Sequence, residues 1–184
     1  MFDVDRAPGI RPPDDLRRRL DRGARWAVPL VCTIVLMLLA NAPLGIPGQP
    51  VLVPAVAVIS VFFWSLYRPS SLPPPITCLL GLLLDLLGWL PLGVGSATLL
   101  TVQAFSLRWR RALGSQGITA VWVAFAGFAA GAAGFIWAAT SALSWELLPT
   151  AGVWLQALVT ACLYPALAIP LGRANRGIAA VEQA

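Results

Sequence analysis

Residues 76–111 read ITCLLGLLLDLLGWLPLGVGSATLLTVQAFSLRWRR, and this stretch decides the fold. Two apolar runs, 76–90 and 92–107, are parted by Pro91-Leu92-Gly93 and closed by Arg108, Arg110 and Arg111. Neither run alternates apolar with polar residues, so neither reads as a half-wet strand. The first, about fifteen residues at ~1.5 Å each, covers roughly 22 Å, short of the ~30 Å hydrocarbon core of a bilayer. The pair predicts a tight helical hairpin with its turn near one membrane face and arginines at its far end.

The rest of the chain extends the pattern. Of 184 residues 58% are hydrophobic and 11% charged, where a soluble domain carries roughly a quarter charged. Apolar runs recur at 26–44, 51–66, 118–143 and 153–171, besides the two of the hairpin. These predict an all-α integral membrane protein of about six helices, laid out as a basic tail (1–25), a six-span domain (26–172) and a short tail (173–184). Pro29 is expected in the first turn of span one, where a missing N–H is harmless. The loop 69–75 holds four prolines and is expected to be non-helical. Pro165 and Pro170 are expected to mark the end of span six. The 16 Gly and 16 Pro are better tolerated in membrane helices than in a soluble bundle.

A net charge of +5 and a pI near 10.1 would fit nucleic-acid binding, but the positions of the charges argue against it. All 13 basic residues are Arg. They lie at the ends of apolar runs: Arg6 to Arg25, Arg68, Arg108 to Arg111, and Arg173 with Arg176. Six crossings with the amino terminus inside put every one of them on the cytoplasmic face, where five or seven crossings would not. Both termini are therefore expected in the cytoplasm. Trp64, Tyr67 and Arg68 read as an aromatic and basic interface anchor. Arg17, Arg18, Arg19, Arg22 and Arg25 would attract anionic lipid, but Asp14, Asp15 and Asp21 weaken that pull, and a topology signal is the simpler reading. Cleavage of 1–42 as a signal peptide is not expected, because the n-region would be long and the remainder would still be membrane-embedded.

Chemistry finds little footing. There is no His or Lys, so the commonest general bases and Schiff-base nucleophiles are missing. Between Arg25 and Arg176 the acidic residues are Asp85 and Glu146, too few for a carboxylate metal site. Cys32, Cys78 and Cys162 have no ligand spacing and read as buried small hydrophobes. No catalytic, cofactor or metal site is expected. Asp85 stands out: a carboxylate at membrane depth costs ~2.5–3.5 kcal/mol on insertion scales. It should face the bundle interior and find donors, with Thr98, Gln156 and Thr160 as partners of matching depth. An internal brace is preferred to an ion or substrate ligand. In span five, Ala126, Ala130, Gly134 and Ala138, with Gly127 and Gly131 beside them, form a small-residue face suited to close helix packing. The partner helix could belong to this chain or to another.

The stretch Gly81-Leu-Leu-Leu-Asp85-Leu-Leu-Gly88-Trp-Leu-Pro91-Leu-Gly93 resembles the G-x-x-x-D-x-x-x-x-x-P-L-G hairpin of the MreD family, the rod shape-determining membrane proteins. Trp64-Ser-Leu-Tyr-Arg68-Pro69, before a Pro-rich loop, is similar to that family too, as are the length and the Arg-bearing amino-terminal tail. The likeness covers residues ~20–172 and is sharpest at 64–111. It implies a plan similar to the substrate-binding subunit of energy-coupling-factor transporters. It also implies a non-catalytic subunit of the cell-wall elongation complex in the bacterial inner membrane, associated with MreC and through it with MreB, RodA and a class B penicillin-binding protein. Within that reading Asp85, Pro91 and Gly93 shape the hairpin, the small-residue face with Gly127, Gly131 and Gly134 is a candidate docking surface, and Gly81 and Arg68 are further structural or interaction candidates. The alternative of a different class is a vitamin or small-solute binding subunit of an uptake transporter, which the scarcity of polar groups in the outer segments disfavours.

Overall fold

The structure, a computed structural model, describes residues 15–43, 49–88, 90–114, 116–145 and 149–182. Among them are six α-helices and one 3₁₀ turn: α1 Asp15–Asn41, α2 Gln49–Tyr67, η1 Pro69–Ser71, α3 Pro74–Gly88, α4 Val94–Gly114, α5 Ile118–Ser144 and α6 Ala151–Glu182. No strand is present among the described residues. Three helices are long and apolar enough to cross a membrane: Gln49–Tyr67, Thr119–Ser144 and Ala151–Arg176. Ala27–Asn41 and Pro74–Gly88 are shorter apolar segments.

The bundle is organised around α2. Its residues from Val53 to Leu66 are all buried, as expected of a helix that is apolar all round. It touches each of the other five helices, which neighbour one another in the order α1, α3, α4, α5, α6. The gradient is steep: 78% of the α2 segment is buried, against 11% of the α6 segment, so most of α6 turns outward. Phe62 of α2 meets Phe125 of α5 at 4.9 Å and Tyr164 of α6 at 6.0 Å between ring centroids, and Phe125 stacks on Tyr164 at 4.4 Å. This aromatic knot joins three helices where shape rather than hydrophobicity selects the partner.

Several expected boundaries move, each for a physical reason. α1 runs through position 26 without a break, so Pro29 is interior rather than in a first turn. Thr33 Oγ1 donates to the Pro29 carbonyl at 2.7 Å there. Pro74 and Pro75 lie inside α3, not in a loop, because the first turn of a helix has no use for its N–H groups. Arg108 to Arg111 fall within the last turns of α4 rather than beyond them. α6 continues past both of its prolines to Glu182, so much of the expected carboxy-terminal tail is helical. Pro165 has no N–H for the Ala161 carbonyl, and Trp122 Nε1 of α5 donates to that oxygen at 2.9 Å instead. A neighbouring helix repairs the break, as membrane helices allow. Cys32 and Cys78 are half-buried, but Cys162 is exposed, because that side of α6 has no covering helix.

Candidate functional site

The hairpin of α3 and α4 is where the chain's unusual residues converge. α4 begins at Val94, and Gly93 precedes it with φ +98°. The Gly93 carbonyl accepts from Ala97 N at 2.9 Å, the first α4 turn, so Gly93 occupies the cap position and has no side chain with which to cap. The first N–H groups of a helix need an acceptor from elsewhere. Asp85 supplies it from the preceding helix: Gly93 N donates to Oδ2 at 2.8 Å and Gly95 N to Oδ1 at 2.5 Å. Asp85 is 2% exposed. One buried carboxylate thus takes two backbone donors at the positive end of a helix, the arrangement that favours an acidic group most. The Asp85 main chain contributes too, since its carbonyl accepts from Leu90 N at 3.2 Å and closes the end of α3.

Two glycines make the approach possible. A Cβ on Gly81 would lie 2.2 Å from Ser96 Cα, and one on Gly95 would lie 2.5 Å from Asp85 Oδ1 and 2.7 Å from the Gly81 carbonyl oxygen. The backbones touch where those side chains would be. Ser96 Oγ adds a bond to the Cys78 carbonyl at 3.0 Å, so the two helices are laced as well as packed.

Asp85 therefore has an interior partner, but not one of those expected from depth. Thr98 donates to Val94 O at 2.7 Å and Thr160 to Gln156 O at 2.6 Å, each within its own helix. Hydroxyls there find a nearer carbonyl one turn back, whereas Gly93 N and Gly95 N lie before the carbonyls of α4 can be reached. Sequence reasoning does not single out Gly95 and Ser96. The pair Gly93-x-Gly95 at a helix start, with no Ser, Thr, Asp or Asn to cap it, is the signal that points to an acceptor elsewhere in the chain. Gln103 also escapes a reading by sequence: buried in α4, it donates to the Leu72 carbonyl at 2.6 Å and ties α4 to the proline-rich connection.

Arg68 lies at the end of α2, and its Nε donates to Asn175 Oδ1 of α6 at 2.8 Å. The Arg68 end of α2 thus meets the Arg173–Arg176 region of α6. Gly127 and Gly131 are exposed and Gly134 is half-buried, and an added Cβ at any of the three meets nothing within 4 Å. Ala130 and Ala138 are exposed as well. The small-residue face is therefore not a seam between described helices of this chain. The buried side of α5 is instead Val121, Phe125, Ala129, Ala132, Ala133 and Ile136. Gly127 and Gly131 line a groove of about 480 Å³ between α4 and α5, bordered by Phe105, Trp109 and Phe135.

Among the described residues no three His, Cys, Asp or Glu side chains gather as a metal site would require. Arg6, Arg11, Asp14, Trp89 and Glu146 lie outside the described residues, as do the side chains of Arg17 to Arg25. Compared with models of known protein families, with curated proteins and with solved structures, the chain gives no match.

Proposed function

We propose that the chain is an MreD-like, non-catalytic scaffold or regulatory subunit of the bacterial cell-wall elongation complex, embedded in the inner membrane by six crossings with both termini in the cytoplasm. The observation that carries this reading is the hairpin. Asp85, Gly81 and Gly93, which carry the resemblance, serve it in three different ways, as acceptor, as contact point and as positive-φ cap. Their spacing is thus tied to one shape, and a shape-bearing motif suits a protein whose work is assembly. The meeting of Arg68 with Asn175 and of Gln103 with Leu72 draws the Arg-bearing ends of α2, α4 and α6 to one side, which fits an arginine-marked cytoplasmic face. The open groove over Gly127 and Gly131 suits a transmembrane helix of a partner such as MreC, because small residues admit close backbones. Depletion in the native rod-shaped host tests the proposal. Rounded cells that stop inserting lateral wall support it, and normal rods overturn it.

One observation favours the second reading, a small-solute binding subunit. A cavity of about 360 Å³ opens at the other end of the bundle, lined among others by Pro54, Trp137, Thr140 and Gln156. Thr140 Oγ1 is buried there with no hydrogen-bond partner. A vitamin requirement with normal cell shape on depletion would favour this reading instead.

A further inference from the structure

A cleft of about 710 Å³ runs between α2, α5 and α6 at the Arg-bearing end of the bundle. Its α6 wall is a single stripe that includes Tyr164, Ala168, Gly172, Asn175 and Arg176. From Tyr164 to Arg176 the stripe spans about 18 Å at ~1.5 Å per residue. Its floor is apolar, with Phe63 and Val121 buried, Pro165 and Ile169 lie exposed along its apolar open side, and Tyr67, Thr119, Asn175 and Arg176 are its other polar lining. Trp122 holds the wall in place through its bond to Ala161.

Two of these polar groups, Asn175 and Arg176, present donors, while the Tyr67 and Thr119 hydroxyls can donate or accept. Asn175 spends its Oδ1 on Arg68 Nε at 2.8 Å, which leaves its Nδ2 hydrogens for the cleft. Arg176 can only donate. No carboxylate lines the cleft among the described residues. Further in, Tyr164 is 4% exposed and lines the cleft, and its hydroxyl bonds to no described residue. Donors from Asn175 and Arg176, an apolar floor and open side, and the unpartnered Tyr164 hydroxyl match an amphiphile with an anionic head. We propose that this cleft binds an anionic phospholipid, its phosphate at Arg176 and Asn175, an ester oxygen at Tyr164 and an acyl chain against Phe63 and Ile169. The proposal goes beyond the scaffold reading and depends only on the chain being in a membrane.

The test uses the purified full chain, stripped of lipid in detergent and titrated with dioleoyl phosphatidylglycerol or dioleoyl phosphatidylcholine, with bound lipid counted by native mass spectrometry. Phosphatidylglycerol should bind at least about fivefold more tightly, the factor that ~1 kcal/mol per arginine at an anionic head group corresponds to. Arg176→Gln should abolish that preference, while Arg108→Gln, exposed and outside the cleft, should keep it. Gly172→Phe should reduce the binding of both lipids, since a Cβ at Gly172 meets nothing within 4 Å and the ring is free to enter the cleft. Should Gly172→Phe fail to fold, the two arginine variants still decide. Equal binding of the two lipids, or equal loss in Arg108→Gln and Arg176→Gln, overturns the site. Glycerol 3-phosphate displacing the lipid as well as whole phosphatidylglycerol does would assign a soluble phosphate and overturn the lipid.

Discussion

Replacing Asp85 by Ala removes the acceptor of two amides, the exposed Gly93 N and the buried Gly95 N, held at 2.8 and 2.5 Å. Neither amide has an acceptor in its own helix: Gly93 and Gly95 sit at the start of α4, before its own carbonyls can be reached. A buried donor left unpaired costs ~1–3 kcal/mol, a cost that falls on Gly95 N, because the exposed Gly93 can turn its amide to solvent. Against this stands the relief of a carboxylate's insertion penalty, ~2.5–3.5 kcal/mol at a helix centre. That penalty largely cancels when unfolding is measured within a micelle or bilayer, because the side chain stays in the apolar phase in both states. The orphaned Gly95 amide therefore dominates, and Asp85→Ala should lose about 1–3 kcal/mol. Asp85→Asn keeps one oxygen and turns an amide N–H toward the second donor, so it should lose about half of that. The assay is reversible unfolding of the purified chain on titration with a denaturing detergent, followed by circular dichroism and by Trp fluorescence. The reasoning fails if Asp85→Ala lies within about 0.5 kcal/mol of the parent, or if Asp85→Asn is the more damaging change.

The same titration checks three further consequences. Gly81→Ala should destabilise by ~1–3 kcal/mol or more, because its Cβ meets Ser96 backbone at 2.2 Å; Gly131→Ala, with open space, should stay within about 0.5 kcal/mol. Gly93→Ala meets no neighbour within 4 Å yet carries φ +98°, so any loss, about 1–3 kcal/mol, is conformational, and Gly93→Asn should lose less than Gly93→Ala. Trp122→Phe should cost about 1 kcal/mol through the orphaned Ala161 carbonyl, and less when Pro165→Ala restores the helical N–H, giving a coupling of ~0.5 kcal/mol or more in a double-mutant cycle.

Much of the helical plan is legible in the sequence because lipid-scale apolar runs and their punctuation are local properties. The boundaries expected for the second, third and fifth runs fall within two residues of α2, α3 and α5. Larger moves come where a polar or arginine-rich stretch reads as outside the helix, at the start of α1 and the end of α4, and where proline reads as a stop, at the end of α6. Proline breaks a helix through one absent N–H, and whether that matters depends on what else reaches the freed carbonyl. Trp122 reaches Ala161 from 39 residues away, a pairing that no local pattern contains. The small-residue face of α5 stays ambiguous in the sequence for a related reason. Spacing shows that a helix can be approached closely, not that another helix of the same chain does so.

By itself the sequence determined that the chain is helical and apolar enough for a membrane, that its arginines bound the apolar runs, and that Asp85 needs an interior partner. These follow from transfer energies and periodicity, which act residue by residue. Tertiary structure alone decided which partner Asp85 takes, that α2 is the buried hub, and that Gly127 and Gly131 remain open. Those outcomes depend on which backbone donors and surfaces are left unsatisfied once the helices have packed, and that remainder exists only in the assembled bundle.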